Sequence, residues 1–154
     1  MSFDSHKGTR GNRAPRGRIM RWGNALMARR LRRSADGKMM GFNALILHTV
    51  GHRSGQERTN PVGWWPGPDG SWLICASANA AVNNPAWYYN LAAHPDRVSI
   101  EVNGQTVPVI AEQLHGAERA QAWTQIITAA PRFAQYQVRT DRELPVIRLT
   151  RRAR

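Results

Sequence analysis

The chain has 154 residues, the length of one domain, and can bury a hydrophobic core without disulfide bonds. Hydrophobic residues make up 42% of it, which excludes a wholly disordered protein, and no apolar run is long enough for a transmembrane helix. The single cysteine, Cys75, excludes a disulfide framework and a cysteine-based metal site. No apolar signal segment follows the basic N-terminus, so we expect a cytoplasmic protein.

Positive charge is concentrated at the two ends of the chain. The 22 Lys and Arg exceed the 10 Asp and Glu, which gives a net charge of +12. Residues 1–38 hold 11 basic and 2 acidic residues, residues 39–150 hold 8 of each, and residues 151–154 add 3 basic residues. A neutral body with basic ends indicates an enzyme-like domain and argues against nucleic acid as a partner.

The N-terminal part of the chain contains one predicted helix. Residues 1–17 are rich in Gly, Arg, Ser and Asn and are predicted to be a disordered basic tail. Residues 18–33 predict an amphipathic helix that ends in the 34–37 turn, so 18–38 form one basic helical segment. Its apolar half carries a tryptophan among arginines, a composition typical of helices that bind an anionic membrane surface. The alternative is that the helix packs on the body of the protein.

The remainder predicts strands with helices inserted late. Strands are expected at 44–50, 58–65, 71–77, 97–102, 105–112 and 144–149. Asn84 is a candidate N-cap and Pro85 a first helical residue for a helix to about His94, and further helices are expected over 116–130 and after Pro131. Asn103-Gly104 predicts a tight hairpin, and Pro108 indicates that the strand it lies in is an edge strand.

This pattern predicts an α+β protein in which helices flank a small antiparallel barrel, spanning residues 39–150 and followed by a basic tail at 151–154.

The segment 51–58 (GHRSGQER) is the first candidate site. Two glycines bracket a turn, one arginine lies inside it and another follows it. Exposed backbone N–H groups beside guanidinium groups suit phosphate or carboxylate. The alternative is an ordinary hairpin with solvated charges. His48 and His52 are four residues apart, but they fall on a strand and a turn, so no metal site is predicted.

Three further segments are candidates for ligand contacts. Residues 75–79 (CASAN) are small and would let a flat ligand approach the backbone. Residues 83–91 (NNPAWYYNL) begin a helix whose N-terminus attracts anions. Residues 130–136 place Phe133 and Tyr136 on one helix face, as a lid or as part of the core. Each segment has a purely structural alternative, namely a plain loop for the first and core packing for the other two.

Together these motifs resemble one family. The order TVGxRSGxxRxNP, then AS, then NNPAWYxNLxxHP, then a helix and a Pro-Phe-Tyr segment, is similar to the deazaflavin-dependent nitroreductases, actinobacterial oxidoreductases with a split β-barrel of the flavin-reductase type. The resemblance covers about residues 39–150. It implies reduced 8-hydroxy-5-deazaflavin, coenzyme F420, as the hydride donor, with FMN as the less favoured alternative, and it allows a homodimer.

The resemblance also implies roles for individual residues. Coenzyme contacts would come from the 51–58 turn, the next strand, the 76–78 loop and the following helix, namely His52, Arg53, Ser54, Arg58, Asn60, Pro61, Val62, Gly63, Ala76, Ser77, Ala78, Ala86, Trp87 and Asn90. The substrate mouth would be formed by Trp64, Phe133 and Tyr136. Ser77 and Tyr136 would act in catalysis by hydrogen-bonding the negative charge that develops on the substrate.

Three positions depart from the family pattern. His52 replaces an Arg or Lys, residues 78–80 (ANA) replace Lys-Gly-Gly, and Ala130 replaces an aromatic residue. The implied function is a deazaflavin-dependent oxidoreductase that transfers hydride to an electrophilic small molecule, such as a quinone, an enone or a nitroaromatic. The alternative is a membrane-associated module that binds deazaflavin or flavin without turnover.

Overall fold

A computed structural model describes residues 2–12, 18–34, 36–39 and 42–152. The helices are α1 (Arg18–Arg33), α2 (Ala86–Ala93), α3 (Gly116–Ala129) and α4 (Arg132–Arg139). The strands are β1 (Lys38–Met39), β2 (Phe42–Val50), β3 (Glu57–Gly63), β4 (Trp65–Pro66), β5 (Trp72–Cys75), β6 (Val98–Val102), β7 (Gln105–Gln113) and β8 (Val146–Arg151). Residues 13–17, 153 and 154, which belong to the predicted basic tails, lie outside the described residues.

The strands form one antiparallel sheet in the order β1-β2-β6-β7-β8-β5-β4, and β3 pairs with β2. This is the predicted split-barrel class with flanking helices. All six predicted strands are present, and the two-residue strands β1 and β4 are additional because so short a segment carries no periodicity. No helix in the described ranges is both long and apolar enough to span a bilayer.

The sheet separates two cores. Side chains from β2, β5, β6, β7 and β8 fill the barrel together with Trp87, Tyr88 and Leu91 of α2. The second core lies between the sheet and α3 and α4. Strand β5 is buried on both faces, since Trp72 and Ile74 belong to the barrel and Leu73 and Cys75 to the second core. Burial in this second core raises the pKa of the Cys75 thiol to about 12.

Helix α1 packs on the outer face of β2. Ala28 and Leu31 of the helix form a small buried cluster with Ala44 and Ile46. An ion pair of 2.7 Å between Arg32 and Glu101 of β6 adds a polar contact, and its hydrogen bond lowers the pKa of Glu101. Because the buried stripe centres on Ala28 and Leu31, the other side of the predicted apolar half is exposed, and Trp22 is 72% accessible.

The edge-strand prediction from Pro108 is wrong, because β7 lies between β6 and β8. The carbonyl of Pro108 accepts a hydrogen bond from the amide of Arg152, just beyond the end of β8. In a strand, the N and O of one residue point to the same side. The side of Pro108 that lacks an N–H therefore faces the end of β8. The opposite side of β7, which pairs with β6, loses no hydrogen bond.

Residues 2–12 make specific contacts where the sequence predicts disorder. Gly8 and Val82 are joined by a backbone hydrogen bond, and Asn12 exchanges backbone hydrogen bonds with residues 80 and 82. The ring of Phe3 packs edge-on against Tyr88 at 5.6 Å. Gln113 accepts from the Asp4 amide at 3.0 Å and donates to its carbonyl at 2.9 Å. Backbone hydrogen bonds and one aromatic anchor hold this arm, and neither produces a periodic sequence signal.

Candidate active site

The 51–56 turn between β2 and β3 is closed by its own backbone. The amide of Gly51 donates to the carbonyl of Gln56 at 2.8 Å, and the amide of Gly55 donates to that of Gly51 at 2.9 Å. A Cβ on Gly51 would lie 2.5 Å from the Ser54 hydroxyl, and Gly55 has a φ of +69°. The turn therefore favours glycine at both positions, and His52, Arg53 and Ser54 are exposed at its tip.

The two arginines of this turn lack acidic partners. Within the ranges that the structure describes, no carboxylate forms an ion pair with Arg53 or Arg58. The Arg58 guanidinium donates to the neutral oxygens of Gln56 at 3.3 Å and Ser54 at 3.4 Å. Two guanidinium groups beside a glycine-flanked turn form an electropositive surface that suits a phosphate or a carboxylate.

The buried side chain of Asn90 in α2 supports the 51–56 turn through hydrogen bonds. Its Oδ1 accepts from the backbone amide of His52 at 2.9 Å and lies 2.8 Å from the ring Nδ1 of the same residue. Its Nδ2 donates to the hydroxyl of Thr49 at 3.0 Å. Asn90 is only 4% exposed, so these contacts occupy its polar atoms beneath the turn. The structure thus brings the two most specific predicted motifs together through His52 and Asn90.

The predicted residues of β3 divide between two faces. Arg58, Asn60 and Val62 pair with Thr49, Leu47 and Leu45 of β2, and paired residues share a face. Leu45 and Leu47 point into the barrel, which places Arg58, Asn60 and Val62 on the inner side. Pro61 and Gly63 pair with residues 46 and 44, whose side chains pack against α1, so they lie on the opposite face. Only alternate predicted residues of this strand can therefore line one ligand.

The 76–80 loop turns sharply in a backbone conformation unusual for alanine. Ala76 is buried, Ser77 and Ala78 are half-buried, and a 3₁₀ turn covers Ala78–Ala80. Ala78 and Ala80 have φ angles of +47° and +62°. Left-handed φ values cost energy for residues with a Cβ, so the surroundings must hold the loop in place. Helix α4, which carries Tyr136, contacts this turn.

Helix α2 begins one residue later than predicted. Pro85 is its N-cap, and Asn84 does not cap the helix with its side chain. The Asn84 amide group is instead engaged by Ser5 and Arg142. Ala86 is exposed, whereas Trp87 is 7% exposed and packs in the barrel core. Of the two predicted contacts at the start of α2, only Ala86 therefore lies at the surface.

An aromatic cluster lies at the predicted substrate mouth. Phe133 packs edge-on against Trp65 at 5.2 Å and against Tyr136 at 5.4 Å. Phe42 lies 6.0 Å from Phe133. Phe133 is buried and belongs to the second core, whereas Tyr136 is half-buried. The half-buried ring of the predicted Trp64 packs against the barrel core instead of this cluster.

Sequence reasoning missed Phe42, Trp65 and the buried Arg142. Phe42 is the only aromatic residue of the 42–47 segment (FNALIL), so no pattern marks it, and nothing local distinguishes Arg142 from a surface arginine. Two cavities of about 260 and 290 Å³ contain none of the predicted residues. No cluster of metal-ligating side chains occurs in the described part of the chain.

An antiparallel barrel with flanking helices defines a split-barrel protein, and comparison with known proteins narrows this class. A family model described as F420H(2)-dependent quinone reductase matches residues 21–151. An F420H(2)-dependent quinone reductase of Mycobacterium tuberculosis is 40% identical over 113 residues, which are 71% of this chain and 74% of the relative. The chain therefore belongs to the F420H(2)-dependent quinone reductase family.

Solved structures agree with this assignment. An F420-H2 dependent reductase is 32% identical with a TM-score of 0.62, and the match covers 69% of this chain and 92% of the other. A chain described as a domain-swapped dimer is 29% identical with a TM-score of 0.63, and the match covers 85% and 98%. The predicted deazaflavin-dependent reductase is confirmed, and the family implies reduced coenzyme F420 as its cofactor.

Proposed function

We propose that this protein transfers hydride from the reduced deazaflavin coenzyme to a quinone, with enones and nitroaromatics as further substrates to be tested. The names of its relatives support the quinone. The observation that carries the proposal at this site is the exposed 51–56 turn, beside which Arg53 and Arg58 form no ion pair with any carboxylate in the described part of the chain. The coenzyme has a phosphate and several glutamate carboxylates, and such groups form charge-assisted hydrogen bonds with guanidinium groups.

The bound coenzyme supplies the hydride, and the protein supplies orientation and charge. Arg53, Arg58 and the amides of the turn hold the phosphate side, and Asn90 keeps the turn in position. Asn60 and Val62 face the same side as Arg58 and contact the ring, while Ala76, Ser77 and Ala78 follow its edge. Of the other residues predicted for the coenzyme, Ala86 is exposed at the start of α2, Pro61 and Gly63 lie on the opposite face of β3, and Trp87 packs in the barrel core.

At the substrate side, Phe133 and Tyr136 provide apolar contact for a flat ring, whereas the third predicted residue, Trp64, packs against the barrel core. The hydroxyls of Ser77 and Tyr136 donate hydrogen bonds to the oxygen that gains negative charge, and the final proton comes from solvent. Hydroxyls that act only at this stage contribute to turnover and little to coenzyme affinity. S77A and Y136F are therefore expected to lower kcat while leaving the coenzyme Kd within about twofold, a change worth less than about 0.5 kcal/mol.

The test is a fluorescence titration with oxidised coenzyme F420, compared with FMN. The native chain is expected to bind the deazaflavin more tightly than FMN, and R53M and R58M to weaken it by about tenfold each, or about 1.4 kcal/mol. R139M, which removes an exposed arginine from the end of α4, is the matched control. Absence of binding at tens of micromolar, or unchanged affinity in the R53M/R58M double variant, would refute the coenzyme site.

Turnover separates the reductase from a binding module. Anaerobic oxidation of the reduced coenzyme is followed with a water-soluble menaquinone analogue, an enone or a nitroimidazole as acceptor. Quinone-dependent oxidation supports the proposal. Tight binding without oxidation by any of the three acceptors would favour the module without turnover.

A second function, attachment to an anionic membrane surface, is favoured by the outer face of α1. Trp22 is 72% exposed and Leu26 is 37% exposed, although both are large and apolar. Arg29, Arg30 and Arg33 are exposed on the same side of the helix at 100° per residue. Apolar side chains flanked by arginines match a helix that lies in the membrane interface.

Vesicle flotation tests this surface on the full chain. Binding to phosphatidylglycerol vesicles, no binding to phosphatidylcholine vesicles, and loss of binding in W22A/L26A are expected. I110A, which shortens an exposed apolar side chain on β7, is the control. Flotation of W22A/L26A equal to that of the native chain would exclude this face.

Light scattering tests a homodimer, which the domain-swapped neighbour favours for this chain, and the mass of a single chain would exclude it.

A further inference from the structure

The connection between α4 and β8 carries an arginine that is almost completely buried. Arg142 is 2% exposed. Its guanidinium donates to the carbonyls of Ala76 at 3.0 Å, Ser77 at 3.0 Å and Ala81 at 3.1 Å, and to the side-chain oxygen of Asn84. One planar cation thus binds four acceptors that all belong to the 76–84 segment.

Arg142 has no acidic partner to balance its charge. Across the described ranges, none of the ion pairs includes Arg142. Burial lowers the pKa of its guanidinium, as expected for a cation removed from water. A buried charge is tolerated only when its donors are satisfied. The carbonyls of the loop therefore have to stay where they can accept, and the loop and the arginine stabilise each other.

The loop that Arg142 holds has a demanding conformation. The bound carbonyls of Ala76 and Ser77 precede the two left-handed residues Ala78 and Ala80, and the bound carbonyl of Ala81 follows them. Hydrogen bonds on both sides of the turn fix its two ends relative to one another. A lysine carries all its donors on one nitrogen atom and cannot reproduce hydrogen bonds that diverge from three nitrogen atoms.

Arg142 is also tied to the helix at the predicted substrate mouth. Gln137 of α4 donates to the carbonyl of Arg142 at 2.7 Å and accepts from the amide of Leu144 at 3.0 Å. On the same helix, Phe133 lies one turn before Gln137 and Tyr136 immediately precedes it. Arg142 thereby connects the 76–84 segment with the helix that carries Tyr136.

We propose that Arg142 is a positioning residue that fixes the 76–78 edge of the coenzyme site relative to α4. This inference rests on the proposed function, because it assigns that edge to the coenzyme. Arg142 acts through the loop: four of its five N–H groups donate to acceptors of the 76–84 segment, so it sets the place of Ser77 without touching the ligand.

The experiment compares R142K, N84A and the control L31A by coenzyme titration and by hydrogen exchange. N84A removes one acceptor and keeps the arginine, which guards against a failure of R142K to fold. L31A destabilises the separate cluster under α1 and reports the effect of lower stability alone. For R142K we expect a coenzyme Kd raised at least tenfold and faster exchange of amides 76–82, with smaller changes of the same kind in N84A and neither change in L31A.

The outcomes separate this inference from the proposed function. Faster exchange in R142K with a coenzyme Kd within twofold of the native value overturns the role at the coenzyme edge. Unchanged exchange of residues 76–82 in both R142K and N84A overturns the positioning of the loop. If the native chain itself binds no coenzyme F420, the proposed function fails, and the exchange data still decide whether Arg142 holds the loop.

Discussion

Replacing Asn90 with alanine is the sharpest test of how the turn is held. The change removes the acceptor for the His52 amide and ring and the donor to the Thr49 hydroxyl. Thr49 is 1% exposed, so its hydroxyl would lose its partner in a place that water does not reach. His52 is exposed, so its own groups can bond water instead.

The magnitude follows from this difference. A net hydrogen bond contributes about 1 kcal/mol, and an unsatisfied buried group costs about 1–3 kcal/mol. With the His52 contacts partly replaced by water, we expect N90A to lower the free energy of unfolding by about 2 kcal/mol, and Tm by about 4–8 °C for a chain of this size. Because the turn loses its support, coenzyme affinity should fall as well.

The measurement is urea unfolding followed by circular dichroism, with coenzyme titration well below the melting temperature. N43A is the matched control, because Asn43 is exposed on the same strand as Thr49. The control should change stability by less than about 0.5 kcal/mol. Equal stability of N90A and N43A would show that the buried contacts of Asn90 do not support the turn.

Three further predictions concern single side chains. Since the pKa of Cys75 is raised to about 12, the folded chain should resist a thiol reagent at pH 8 and react only after unfolding; rapid labelling of the native chain would contradict its burial. Hydrogen bonds from the side chain and amide of Thr9 and the amide of Arg10 lower the pKa of Asp141 to about 2. The contact between Asp141 and the N-terminal arm therefore stabilises the folded chain above the ordinary carboxyl pKa, and this stabilisation is lost as the pH falls through about 2. At pH 7, D141A should speed amide exchange of residues 8–10. Unchanged exchange would exclude Asp141 as an anchor of the arm. G51A should weaken coenzyme binding at least tenfold, because its Cβ would lie 2.5 Å from the Ser54 hydroxyl and 3.2 Å from the carbonyl oxygen of Gln56. G23A, at a helical glycine with open space around its Cβ and no positive φ, should bind normally, and equal affinities of the two variants would refute the steric argument.

Strand and helix positions could be predicted because burial produces periodicity. In β7, buried Val107, Val109 and Ala111 alternate with exposed residues, as the sequence pattern indicates. The two glycines of the turn were also predictable, since their spacing is local. The division of β3 between two faces was not stated from the sequence, because it depends on the register with β2.

The contacts that could not be predicted join segments far apart in the chain. Arg142 binds residues 58 to 66 positions away, and Gln113 binds residues 109 and 111 positions away in the N-terminal arm. Single polar residues of this kind have no periodic neighbours to reveal them. From the sequence alone, an arginine in a loop is interpreted as a solvated charge. Only the folded structure shows that carbonyl oxygens surround it.

The neutral charge of residues 39–150 conceals a local positive surface. Four of the eight carboxylates in this body pair with arginines elsewhere: Glu112 and Glu118 pair with Arg148, Glu143 with Arg119, and Glu101 with Arg32 of α1. Glu57, which precedes Arg58, contacts His48 at 2.9 Å. Arg53 and Arg58 therefore form no ion pair within the described ranges, and their field acts on an anion that approaches the exposed turn. A net charge counts every arginine equally, whereas the affinity of a site depends on which of them the fold leaves unpaired. For this chain the large basic excess lies in the terminal segments, and the proposed coenzyme site uses two arginines within a body whose charges sum to zero.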